Sequence, residues 1–258
     1  MEITQSESKT FKIRIVEFIW QHILLLLSMY VMTLGVALCV QSCLGSGVIS
    51  AIPMAFAMAG ADGLAPGLTI GGYTNIMNVI LVGAQILVLR RRFEKVQLFQ
   101  LVVGCLFGAM IDLNMALTSV FEYTTLPHQI LAQLAGATIL AAGVTAEIRC
   151  GSITMPGEGI QAAISRVSGW PFPRVKMLVD TILVVIAVAC GYMFYGHWLW
   201  TVIGPGTLFA MFYVGYMVKV FNPHMGWFDR LLSYRPGFRR YVFGLARYIK
   251  LPGSKQQG

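Results

Sequence analysis

Long apolar stretches recur along the chain, and short polar segments separate them. A helix that crosses the hydrocarbon core of a bilayer needs about 20 mainly apolar residues. Several of the stretches reach that length, so the pattern predicts an all-α transmembrane bundle with six membrane-spanning helices. The predicted spans are 18–40, 71–89, 96–117, 130–148, 175–195 and 201–221.

Two further apolar segments, 45–59 and 151–168, are too short and too rich in Gly, Pro and Ser to cross a membrane alone. Each follows a full span, which favours a half-helix or re-entrant segment. Irregular backbone at membrane depth is stable only where protein or a water-filled cavity covers it. We therefore expect backbone polar groups to line an interior site at Gly45, Ser46, Pro53, Gly151, Ser152, Pro156 and Gly157.

The two halves of the chain follow one plan, in which a full span is followed by a short segment and two more spans. Gly45-Ser46 in the first half corresponds to Gly151-Ser152 in the second. Three spans is an odd number, so the second half enters the membrane from the opposite side. This predicts two inverted-topology repeats, as in many secondary transporters. The predicted parts are an N-terminal segment 1–17, the repeats 18–117 and 130–221, and a basic tail 222–258.

Composition supports the membrane class, because 57% of the residues are hydrophobic and only 12% are charged. A soluble domain carries about a quarter charged residues. The net charge of +8 does not indicate nucleic-acid binding, because the Lys and Arg residues lie between and beside the apolar stretches. Segments 41–70, 118–129 and 196–200 contain no Lys or Arg. Because cytoplasmic loops are rich in these residues, both termini are expected in the cytoplasm.

The basic tail mixes Arg and Lys with aromatic and aliphatic residues, as in PGFRRYVFGLARYIK. One interpretation is an interfacial helix that anionic lipids attract. The other is a juxtamembrane tail that only fixes the orientation of the chain, and the sequence leaves both open.

Ionisable residues inside spans cost roughly 2.5–3.5 kcal/mol each on insertion scales, so each requires an explanation. Asp180 lies four residues after Lys176 and either binds a ligand or pairs with that lysine. Asp112 either binds a ligand or lies at the membrane interface. Polar Asn side chains line a hydrated path or join two helices. The predicted substrate- or ion-binding residues are Asp112, Asp180, Glu158, Asn75 and Asn78.

The remaining charged residues, histidines and cysteines do not indicate a binding or catalytic site. At the inner end of the fourth span, Glu147 is expected to neutralise Arg149, whose side chain reaches the cytoplasmic interface. The four histidines are dispersed and the five cysteines form no C-x-x-C pair. Catalytic motifs such as H-E-x-x-H, G-x-S-x-G or a P-loop do not occur. The sequence therefore predicts no enzyme, cofactor or metal site.

The segments GSGVISAIPMAFAM, LTIGGYTNIMNVILVGAQILVLRRRF and QLVVGCLFGAMIDL resemble the YczE/YyaS/YitT-like bacterial membrane proteins. MPGEGIQAAISRVSGWPFPRVKMLVDTILVV resembles their second repeat, and the resemblance covers 34–221. It implies a multi-pass protein of the bacterial inner membrane. That family is largely uncharacterised, so the resemblance supplies no substrate and no catalytic residues.

The leading functional hypothesis is a small secondary transporter whose substrate is a polar or charged small molecule or ion. Two alternatives stay open: a substrate-binding membrane subunit of a multi-protein transporter, and a regulatory or scaffold membrane protein.

Overall fold

The structure, a computed structural model, describes residues 2–121, 123–234, 238 and 240–248. These residues form α-helices joined by short linkers and 3₁₀ turns, with no strand among them, so the all-α prediction is confirmed. The helices are α1 Glu2–Gln41, α2 Val48–Ala61, α3 Ile70–Leu89, α4 Phe99–Thr118, α5 Leu126–Cys150, α6 Pro156–Ser168, α7 Phe172–Tyr195, α8 Pro205–His224 and α9 Gly226–Leu232.

Five of these helices, α1, α3, α4, α5 and α7, are long and apolar enough to cross a membrane. They coincide with five of the six predicted spans. The sixth, α8, is also 20 residues long, but its last turns contain Lys219, Asn222 and His224 and its composition is less apolar. The chain is therefore a membrane protein by helix length and composition, while the count of six spans stays a prediction.

The longest helix pair, α1 and α5, packs with its backbones in contact. A Cβ atom added at Gly35 would lie 2.4 Å from the backbone nitrogen of Leu140, and one at Gly143 would lie 2.6 Å from that of Met32. Because glycine has no side chain, the backbones of α1 and α5 can approach this closely, as in many membrane helix pairs. The other helices pack around the pair, with α4 against α1 and α8 against α5.

The two short helices pack between the long ones. Helix α2 lies against α7 and α3, and α6 lies against α3 and α7. Helix α3 also packs along α4. Each short helix thus contacts long helices from both halves of the chain.

The linker from α1 to α2 is not helical, and its backbone groups bind the loop that precedes α8. The Ser46 N–H donates to the Val202 carbonyl (3.0 Å), and the Gly206 N–H donates to the Leu44 carbonyl (2.8 Å). The amide of Gln133 on α5, which is buried, donates to the Gly206 carbonyl (2.8 Å). These bonds satisfy backbone polar groups that neither lipid nor a helix would satisfy.

The linker from α5 to α6 is held in a similar way by α1 and the C-terminal segment. The buried Gln21 amide donates to the carbonyls of Cys150 (2.7 Å) and Tyr241 (2.9 Å), and its oxygen accepts from the Tyr241 N–H (2.8 Å). The Phe243 N–H donates to the Ser152 carbonyl (2.8 Å). The C-terminal segment therefore replaces a second loop as the partner of this linker.

Part of the predicted basic tail thus packs onto the helical bundle. Leu232, in α9, and Leu245 are fully buried, and Leu245 packs with Leu89 and with Ala162 and Ala163 of α6. Residues 249–258 of the tail lie outside the described residues, and its binding to anionic lipids stays a prediction.

The contact between α1 and α5 gives a test of the fold. We expect Gly35→Ala to lower the free energy of unfolding by about 1–3 kcal/mol, because the new methyl group would overlap the α5 backbone. Gly83→Ala on α3 is the matched control, since a Cβ there meets no atom within 4 Å. Alanine favours helix, so the control variant is expected to be neutral or up to about 1 kcal/mol more stable. Unfolding of the purified proteins in detergent measures both, and equal effects would contradict the described packing.

Candidate functional site

The N-terminal ends of the two short helices meet in the interior of the bundle. A Cβ atom at Gly157, in the first turn of α6, would lie 3.1 Å from Cδ1 of Ile49, in the first turn of α2. Neither helix start has a hydrogen bond from the side chain of its capping residue, Gly47 or Met155. The first turns of a helix carry unpaired N–H groups and a positive partial charge, so both ends direct polar backbone into the interior.

Apolar side chains fill the space immediately around this meeting point. They come from α3, α6 and α7 and include Met77, Leu81, Ile160, Val175 and Val179. Direct contact between the short helices is therefore dry, and the polar groups lie to one side of it.

The residues predicted to supply half-helix backbone lie where the sequence suggested, in the linkers and the short helices. Gly151 ends α5 in the left-handed conformation (φ 60°), and Pro156 opens α6. Gly45, with φ 117°, leaves no room for a side chain, since a Cβ would lie 2.4 Å from the Thr207 hydroxyl. Pro53 is different, because it is buried within α2 rather than at its end. Ser46, Ser152 and Gly157 complete the set, the first two in linkers and the last in the first turn of α6.

A polar cluster lies beside the first turn of α6. The backbone N–H of Met155 lies close enough to the Glu147 carboxylate, on α5, to stabilise its negative charge. The Glu147 side chain is only 3% exposed, and its Oε2 atom has no hydrogen-bond partner in the described part of the chain. Glu147, Thr154 and Glu158 line a small cavity of about 20 Å³. Its walls also include residues of the α5–α6 linker and Ala246 of the C-terminal segment.

Two buried amides extend the cluster toward α3 and α4. Gln85 Nε2 donates to the Pro156 carbonyl (3.1 Å) and to Oε1 of Gln100 (3.1 Å). Gln100 Nε2 in turn donates to the Thr154 hydroxyl (3.4 Å). A side chain at position 159 would overlap these amides, because a Cβ at Gly159 would lie 2.8 Å from Gln85 Nε2. Helices α3, α4 and α5 and the α5–α6 linker thus direct polar groups at the first turn of α6.

Asp180 joins α7 to α6. Its Oδ1 accepts from Nε2 of the buried Gln161 (3.0 Å), and its Oδ2 pairs with the Lys176 ammonium (3.0 Å). The expected pair between residues 176 and 180 is present, and Asp180 is also bound to α6. This carboxylate is 6% exposed.

Asp112 binds the start of α3. It accepts hydrogen bonds from the Thr69 hydroxyl (2.7 Å) and the Gly71 N–H (2.8 Å). A carboxylate here offsets the positive end of the α3 dipole. Gln85 lies near the other end of α3, about 20 Å away at 1.5 Å per residue.

Asn75 and Asn78 pack α3 against α4. Asn78 Nδ2 donates to the Gly104 carbonyl (3.4 Å), and a Cβ at Gly108 would lie 2.2 Å from Oδ1 of Asn75. These side chains fill the space that the two glycines leave.

The five predicted binding residues therefore fall into two groups. Glu158 and Asp180 lie on α6 and α7, whereas Asp112, Asn75 and Asn78 lie at the interface of α3 and α4. Sequence reasoning did not select Gln85, Gln100, Thr154 or Glu147 for the site. The two glutamines could have been found in the sequence, because each is an amide side chain within an otherwise apolar helix.

The prediction that Glu147 neutralises Arg149 is wrong. The Arg149 guanidinium pairs with the Asp229 carboxylate on α9 and donates to the Asn222 carbonyl. Side chains two residues apart on a helix point in different directions, so Glu147 faces α6 while Arg149 faces α8 and α9.

The apolar helices and the interior meeting of two short helices define a polytopic membrane protein. The chain belongs to the family of unknown function DUF6198, whose model matches residues 19–223. No curated protein matches the chain, and no solved structure does. These comparisons do not connect the chain to the YczE/YyaS/YitT-like proteins, so that resemblance stays a prediction.

The position of Asp112 leads to a test of its role. Asp112→Ala removes the acceptor of two hydrogen bonds at the start of α3, and we expect the free energy of unfolding to fall by about 1–3 kcal/mol. The matched control is Asp62→Ala, where an exposed carboxylate binds the Tyr195 hydroxyl and the expected loss is smaller. Thermal unfolding in detergent measures both variants. An Asp112→Ala variant as stable as the natural protein would show that this carboxylate does not hold α3.

Proposed function

We propose that the protein is a small secondary transporter for a polar or charged small solute. One observation carries the proposal: the N-terminal ends of α2 and α6 meet inside the bundle, with no side-chain cap at either. Discontinuous helices that meet near the midplane are the usual substrate site of such proteins.

The packing partners of the helices support two inverted repeats. Exchanging the halves pairs α1 with α5, α2 with α6, α3 with α7 and α4 with α8. Under this exchange the α1–α4 contact corresponds to the α5–α8 contact, and both are present. The α2–α7 contact likewise corresponds to the α6–α3 contact, and both are present. The contact of α2 with α3 becomes that of α6 with α7 in the same way. The α3–α4 pair departs from the rule, because α7 and α8 hardly touch.

Both linkers are closed in the described conformation. The loop before α8 covers the outer linker, and the segment that contains Tyr241 and Phe243 covers the inner one. A transporter that works by alternating access opens these covers one at a time, by rocking one group of helices against the other. We propose that the structure corresponds to the state closed on both sides.

The polar cluster beside α6 indicates the chemistry of the substrate. Amide groups of Gln85 and Gln100 bind uncharged polar groups, and the free N–H groups of α6 favour an anionic or polar one. Glu158 favours a positive charge, whereas the charge of Asp180 is already paired with Lys176. A polar solute with both donors and acceptors fits this set better than an apolar one.

For orientation, we propose a bacterial inner-membrane protein with both termini in the cytoplasm and a basic tail near anionic lipids. The absence of Lys and Arg from 41–70, 118–129 and 196–200 supports it. The exposed side chains of Arg90, Arg91 and Arg92 then face the cytoplasm. They are also the observation that favours the second candidate function, a membrane subunit that docks on a cytoplasmic energising protein.

Alternating access has a direct test at Ile49, which lies where the two short helices meet. In a variant whose native cysteines are replaced, Ile49→Cys should react with a small membrane-impermeant thiol reagent added to either side of the membrane. Ile49 is half-buried. A transporter exposes this position to aqueous reagent from each side in turn, whereas a scaffold or docking subunit exposes it from one side at most. The measurement is the labelling rate in intact cells and in inverted vesicles.

Two controls calibrate these rates. Met29→Cys, fully buried in α1, gives the rate for a position that never opens. Cys43 kept as the single cysteine is exposed in the outer linker and should react only from outside. The proposal is contradicted if Ile49→Cys reacts no faster than Met29→Cys whichever side of the membrane the reagent is added to. Labelling of Cys43 from the inside would reverse the proposed orientation.

A further inference from the structure

The cavity beside α6 has the size and walls of a small ion site. It has a volume of about 20 Å³, close to that needed for a single water-sized occupant. Its walls come from the C-terminal end of α5, the extended linker and the first turn of α6. Among the lining residues, Glu147, Glu158 and Thr154 carry side-chain oxygens.

The Glu147 carboxylate is the most informative group in this cavity. It is 3% exposed, and the nearby backbone N–H of Met155 stabilises its negative charge. Its Oε2 atom has no hydrogen-bond partner in the part of the chain that the structure describes. A buried oxygen without a partner costs free energy comparable to a lost hydrogen bond, so it requires a ligand.

The charges around the cavity do not balance. Glu158 is within electrostatic range of Lys176 and Asp180, and those two residues already pair with each other. The nearest basic residue along α5, Arg149, is bound to Asp229. Glu147 and Glu158 form no ion pair among the described residues, so two carboxylates face one cavity without a basic partner.

The type of ligand follows from the donor atoms. The described residues contain no group of three or more His, Cys, Asp or Glu side chains that suits a metal ion such as zinc. Two carboxylates and a hydroxyl suit a hard cation, which prefers oxygen ligands. In secondary transporters, unwound backbone and helix C-terminal ends bind the coupling Na⁺ or H⁺.

We propose that Glu147 and Glu158, with Thr154 and the α5–α6 linker, bind a sodium ion. The site deepens the proposed transporter function by naming its coupling ion, and in that respect it rests on that function. Binding of the ion itself does not depend on transport, so the two are tested separately.

Thermal unfolding of the purified full-length protein measures sodium binding. Sodium chloride replaces choline chloride at constant ionic strength, since choline is too large for a cavity of this size. A ligand that binds the folded state raises the Tm in a saturable way. We expect such a rise for the natural protein, and we expect an apparent sodium Kd weaker by about 10-fold to 100-fold in Glu147→Gln and in Glu158→Gln.

The matched control is Glu94→Gln, the same substitution in the loop between α3 and α4, which should keep the full response. If a glutamine variant does not fold, Thr154→Val replaces it, because it keeps both carboxylates and removes one oxygen. It should weaken the apparent Kd about tenfold. A response lost equally in Glu94→Gln would overturn the site.

The remaining outcomes separate this site from the transporter proposal. No difference between sodium and choline overturns the sodium site, even if Ile49→Cys is labelled from both sides. A Tm that responds to pH through both carboxylates but not to sodium assigns them to protons and also overturns it. Sodium binding lost in both glutamine variants supports the site, even if Ile49→Cys is never labelled and the transporter proposal fails.

Discussion

Backbone hydrogen bonding at membrane depth is the constraint on which the rest of the structure depends. The two linkers that lead into α2 and α6 leave the helical pattern, and lipid offers their N–H and C=O groups no partner. Backbone of distant segments supplies the partners, and two buried glutamines add to them: Gln133 binds the Ser42 hydroxyl and the start of α8, and Gln21 binds the Cys150 carbonyl. Only with these bonds in place can two short helices begin inside the bundle.

The close packing of α1 on α5 provides the rigid part of the molecule. Glycines bring their backbones into contact, and the two glutamines that hold the linkers project from this pair. The short helices instead contact mainly two long helices each, α3 and α7, with apolar residues where their ends meet. The α1–α5 pair thus holds both linkers in place, and the long helices from both halves enclose the short ones.

Hydropathy predicted the all-helical class, the five apolar spans and the two short segments, because burial of apolar area determines all of them. It could not predict which helices face each other, and the site depends on that. Asp112 looked like a ligand-binding residue because a carboxylate within a span is costly, yet the nearby start of α3 accounts for it. Glu147 was assigned to Arg149 by proximity in sequence, whereas helix geometry directs it to α6. The many basic residues of the C-terminal segment indicate a surface tail. The structure nevertheless buries Leu245 of this segment fully.

The meeting of α2 and α6 is tested most directly by a disulfide between them. A variant without native cysteines carries Ile49→Cys and Gly157→Cys, with a protease site in the loop between α4 and α5. Mild oxidation is expected to join the two halves, which then migrate together after proteolysis until reductant is added. A matched pair with Val167→Cys, about 15 Å further along α6, should stay separate. Halves that separate in both pairs would contradict the interior meeting of the short helices.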